Sequence, residues 1–92
     1  MRTVWKFPFQ AADHQDIEMP QGAKILHIDV QGDTPCLWAL VDPSRPREKR
    51  HFRLAGTGHP IEEDTGIHVG SFMMMGGVLV FHLFDQTVRE LQ

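Results

Sequence analysis

Apolar and polar positions alternate with a period of two along most of the chain, and turn residues break the alternation at spacings of about 8–12 residues. That pattern predicts short strands almost everywhere. Thr3, Trp5, Phe7 and Phe9 share one face of an opening strand, with Lys6 on the other, and Pro8 marks an edge or a strand end. A short second strand is expected at residues 16–19. From Lys24 the alternation predicts Leu26, Ile28 and Val30 on one face and His27, Asp29 and Gln31 on a wet face.

Gly32-Asp33-Thr34 then supplies turn chemistry, and residues 35–42 return as the partner strand of a hairpin. Both faces of that strand are apolar, which predicts a central position. Pro43 and Pro46 bracket an irregular loop. The strand over residues 49–55 is expected to place Arg50, Phe52 and Leu54 on one face, and His51, Arg53 and Ala55 on the other. After a turn-rich connection over residues 56–66, residues 67–74 and 78–84 around Gly76-Gly77 form the strongest hairpin signal in the chain.

The expected fold is all-β, a small antiparallel sandwich or partly closed barrel of six to seven short strands with little or no helix. Residues 1–85 form the single domain. Residues 86–92, with Val88 and Leu91 three apart, read as a frayed or docked tail.

Composition narrows the function classes. Ninety-two residues at 10.5 kDa make one domain and exclude a two-domain enzyme. The 41% hydrophobic content supports a core. The lone Cys36 excludes an intrachain disulfide framework and fits a reducing, intracellular setting. The longest apolar run is strand-sized, so no membrane span or secretory leader is expected. A net charge of −3 argues against general nucleic-acid binding.

Four features are candidates for chemistry. The segment containing Arg45, Arg47, Lys49, Arg50 and Arg53 holds five of the nine Lys and Arg residues, and arginine forks match carboxylates and phosphates. Its plainer reading is a solvated loop and a charged edge strand that discourages aggregation. Thr57, Gly58 and His59 lie in a glycine-rich loop whose backbone N–H groups could form an anion-binding nest, or simply a tight corner. Six histidines invite a metal reading, but no pair has His-x-His spacing, so no metal and no cofactor is expected. Met73, Met74 and Met75 are either core or a contact surface. Cys36 reads as packing, Ser44 and Ser71 lack an adjacent base, and His82 is the histidine expected to be most buried.

Four phrases of the sequence carry a resemblance: Thr3-Val4-Trp5-Lys6-Phe7-Pro8, Pro35-Cys36-Leu37-Trp38-Ala39-Leu40-Val41-Asp42-Pro43, Gly56-Thr57-Gly58-His59-Pro60-Ile61, and Gly76-Gly77 with Leu79-Val80-Phe81-His82. Together they resemble a family of small uncharacterised proteins encoded by bacteriophages and prophages. The resemblance brings no catalytic or binding residues with it. It implies a phage gene product in the cytoplasm of a bacterial host.

The expectation is a non-enzymatic accessory protein, homo-oligomeric, that binds a host protein, for instance of a defence system. The basic segment would supply charge and the methionines an apolar anchor. Alternatives are a binder of an anionic nucleotide-like small molecule and a small virion component.

Overall fold

The computed structural model describes residues 1–87. Seven strands follow in order: β1 (Thr3–Pro8), β2 (His14–Pro20), β3 (Lys24–Gln31), β4 (Thr34–Val41), β5 (Arg47–Gly56), β6 (Ile67–Met74) and β7 (Leu79–Asp85), with one 3₁₀ turn at Met75–Gly77 between the last two. They form two antiparallel sheets, β1-β4-β3 and β2-β5-β7-β6. The sheets do not close into a barrel. The Cα envelope measures 39 × 37 × 17 Å, the slab expected of two twisted layers stacked about 10 Å apart.

Alternation builds the core between the layers. Leu37, Ala39 and Val41 of β4 and Ile28 of β3 meet Phe52 and Leu54 of β5, Leu83 of β7 and Phe72 of β6, while β2 adds Ile17 and Met19. Phe9 packs edge-on against Phe72 at 5.7 Å. Each large side chain sealed here contributes about 1.5–3 kcal/mol by leaving water. At Gly70 the layers come so close that a Cβ would stand 3.1 Å from Ile28 Cδ1.

The hairpins follow their turn residues. Gln31 pairs with Thr34 across a two-residue loop, and Met74 pairs with Leu79 across a four-residue loop. At the start of β6, Gly66 has φ +104° and a Cβ there would lie 2.3 Å from the Asp85 carbonyl oxygen, so no other residue fits.

Leu26 departs from the expected pattern. A bulge between Ile25 and His27 puts two residues where alternation allows one, so Ile25 faces the core with Ile28 and Val30, and Leu26 is 50% exposed. β4 is central, as its two apolar faces require. Its outer face carries Cys36, Trp38 and Leu40, and Lys6 Nζ of β1 donates to Gln31 Oε1 of β3 at 2.7 Å, a diagonal link across β4 over Cys36. Cys36 is buried beneath it.

Two aromatic rings lie on the outer faces, each against a histidine. Trp38 carries the His27 ring at 5.6 Å, and Phe84 meets the His68 ring at 5.4 Å. Beyond β7, the Gln86 N–H donates to the His51 carbonyl, and the His51 N–H donates to Thr87 Oγ1 at 2.7 Å. The rest of the expected tail, residues 88–92, lies outside the described residues.

Candidate functional site

The basic segment separates once β5 is placed inside its sheet. β5 lies between β2 and β7, so it is not the charged edge strand its composition suggested. Arg50 points between the layers, as alternation predicts, and is buried there, not available to a partner. It donates to the Ala23 carbonyl and to Asp85. Its Nε is sealed from solvent and has no hydrogen-bond partner among the described residues.

Arg53 turns to the outer face yet is also buried, because the connection after β5 folds over it. It donates to Glu62 Oε2 at 3.2 Å, to the Leu54 carbonyl, and to the Asp13 and Pro60 carbonyls at 3.5 Å. A close internal acceptor therefore holds each of these arginines. The Glu62 carboxyl sits below its ordinary range because its own backbone N–H, and then the Arg53 guanidinium, stabilise the charged form.

Arg45, Arg47 and Lys49 remain exposed. The Arg47 guanidinium stands over the Trp5 ring at 5.4 Å, and Lys49 is paired in register with Glu18. In the preceding loop, the Ser44 hydroxyl and then its N–H donate to Asp42, lowering the Asp42 carboxyl. The surviving patch is three cations among carboxylates.

Thr57, Gly58 and His59 do not form an open nest. The Thr57 N–H donates to the Val80 carbonyl at 3.0 Å and the His59 N–H to the Gly56 carbonyl at 3.1 Å, which occupies two of the three donors. The loop shares the outer face with Arg53, whereas Arg50 faces the interior.

The methionine run divides between inside and outside. Met74 packs against the core beside Phe72 and Phe81, while Met73 and Met75 are 63% and 71% exposed. Val78 and Leu79, on the other side of the turn, are 78% and 41% exposed. Met75 has φ +53°, the left-handed conformation that a side chain adopts at a cost of about 1–2 kcal/mol. This tip is flanked by two hollows. One, of about 470 Å³, is bordered by Asp29 and Asp33; the other, of about 340 Å³, by His59 and Val80. Nine residue steps along β5, roughly 30 Å at the rise of a strand, separate Arg47 from Gly56 at the tip end. The basic patch and the apolar tip therefore stand at opposite ends of the four-stranded sheet.

No local motif marks the polar row on the outer face of that sheet. Ser71 and His82 are partners across β6 and β7, with Ser71 Oγ 2.7 Å from His82 Nδ1. Thr57 Oγ1 lies 2.7 Å from His82 Nε2, and His68 Nε2 3.2 Å from Ser71 Oγ. His82 is half-buried. The pairing follows from register alone: once Met74 faces Leu79, Ser71 must face His82. Thr57 arrives from a loop and could not have been placed. No group of three or more metal-ligating side chains lies together among the described residues, and no helix there is long and apolar enough to cross a membrane.

Two antiparallel layers packed face to face over one apolar core define a small β-sandwich domain. The chain belongs to the family described as domain of unknown function DUF7352, whose model matches residues 1–92. No curated protein and no solved structure matches it.

Proposed function

We propose that this chain is a binding protein that docks on another protein through the tip of the β6–β7 hairpin, by stoichiometric contact. One observation carries the reading: Met73, Met75, Val78 and Leu79 are all large, apolar and exposed at one reversal of the chain. Isolated exposed apolar residues need no explanation, but a cluster of four at one turn does. Methionines adapt their shape to a partner's cleft and supply much contact area. The acidic rim of Asp29 and Asp33 favours a partner whose cleft is bordered by basic groups.

The phage context implied by the sequence resemblance makes a bacterial host protein the partner, with the protein acting in the host cytoplasm. The basic residues Arg45, Arg47 and Lys49 serve at most as a remote second contact, since they stand at the other end of the sheet. The anion-binding alternative is disfavoured by what its residues already do: Arg50 and Arg53 are buried in ion pairs, and two of the three loop N–H groups are donated.

The test compares capture of bacterial proteins by the native chain, by Met73→Ser/Met75→Ser/Val78→Ser, and by Arg45→Glu/Arg47→Glu/Lys49→Glu, with light scattering to report self-association. The expected result is a discrete partner lost only by the first variant, at unchanged melting temperature. A partner retained by that variant, or lost only on charge reversal, overturns the reading.

A further inference from the structure

We propose that Ser71 is an activated nucleophile, with His82 as its general base, able to take the acyl group of an activated ester. This chemistry goes beyond docking and lies on the outer sheet face, not at the hairpin turn. The signature of such a nucleophile is a hydroxyl within hydrogen-bond reach of a base that a third group orients. Ser71, His82 and Thr57 satisfy it with two contacts of 2.7 Å.

Each ring nitrogen can donate or accept, so the hydrogen-bonded chain can run in either of two directions, and only one of them also uses the contact from Thr57 to Val80. Thr57 Oγ1 also lies 3.4 Å from the Val80 carbonyl, which can only accept. Between neutral imidazoles one arrangement uses every contact: His68 Nε2–H to Ser71, Ser71 O–H to His82 Nδ1, His82 Nε2–H to Thr57, and Thr57 O–H to Val80. In it the lone pair of His82 Nδ1 points at the Ser71 proton. Thr57 is a positioning residue that holds the tautomer.

The step balances without a further reactant. Ser71 Oγ attacks the ester carbonyl carbon as its proton passes to His82 Nδ1. The carbonyl oxygen becomes an oxyanion within reach of the His68 Nε2–H, which stands 3.2 Å from Oγ. The carbon–oxygen bond to the leaving group then breaks, and the departing alkoxide or phenoxide takes the proton from His82. The products are acyl-Ser71 and an alcohol or phenol. The neighbouring cross-strand pairs, Met73 with Val80 and His68 with Phe84, border the serine with apolar and aromatic surface, which suits an aryl ester with a compact acyl group.

The test treats the whole protein with p-nitrophenyl acetate and, separately, with a fluorophosphonate probe, and maps adducts by peptide mass spectrometry. Ser44 is the internal control, an exposed hydroxyl bonded to a carboxylate and not to an imidazole. Expected are adducts concentrated on Ser71, a labelling rate about 10²-fold lower in His82→Gln, as loss of a general base predicts, and a smaller fall in Thr57→Val. Equal labelling of Ser44 and Ser71, no labelling of Ser71, or a rate unchanged in His82→Gln overturns the proposal. If His82→Gln does not fold, the comparison of Ser71 with Ser44 in the native chain decides alone.

Discussion

Arg50 donates to Asp85 between the two layers, and only 7% and 4% of their side chains remain exposed. A buried pair of this kind balances desolvation against mutual attraction, and the unpartnered Nε weighs on the unfavourable side. Removing one partner leaves an uncompensated charge. Arg50→Met or Asp85→Leu alone is expected to lower stability by about 3–5 kcal/mol, whereas the double substitution should come within about 1 kcal/mol of the native chain or exceed it. Urea unfolding of the four proteins measures the coupling. Equal losses in single and double variants would show that the pair itself holds the layers together.

Gly66 abuts the same carboxylate's backbone. Gly66→Ala should destabilise by about 3 kcal/mol, from strain at positive φ together with the contact on the Asp85 carbonyl. Thermal melting reads the loss directly, and a variant that melts within a degree of the native protein would refute this packing.

Gly70 and Ile28 offer a test of how closely the layers approach. Gly70→Ala alone pushes a methyl against Ile28 Cδ1 and is expected to cost about 1–3 kcal/mol. Ile28→Val deletes the atom it meets. The double variant should therefore be more stable than the sum of the two losses predicts, by about 0.5 kcal/mol or more in a double-mutant cycle. Strict additivity would place the two residues farther apart.

Acid should weaken the protein through Glu62 and Asp42. Both carboxyls are held below their ordinary values of 4.5 and 3.8 in the folded chain, so the stability they contribute is fully present above those values and is lost as pH falls through the lower, folded ones. Denaturant midpoints should therefore fall progressively as the pH drops below about 4.5. The fall should be shallower in Glu62→Gln, and an identical profile in that variant would remove the Arg53 contact from the account.

Strand positions were legible because a half-buried strand must alternate, and the turn residues of the β3–β4 and β6–β7 loops mark where it stops. Arg50 beside Phe52 and Leu54 was likewise readable from period two. Its burial was not, because that depends on Asp85, which lies 35 positions away and reaches it only through the pairing of β5 with β7. Leu26 was misplaced for a local reason: a single extra residue reverses the faces on one side of a bulge, and composition gives no sign of it. The Ser71–His82 contact follows from hairpin register, which joins two residues 11 positions apart that no local motif links.

The diagonal link from Lys6 to Gln31 turns the only cysteine of the chain into a clock. A reagent such as an aromatic disulfide meets the buried Cys36 when the cover over it opens, so the colour it releases counts those openings. With no cysteine engineered in, the protein reports its own breathing. Lys6→Ala should make the clock run faster while leaving the four-stranded sheet untouched, and following colour and amide hydrogen exchange together would time the two layers separately.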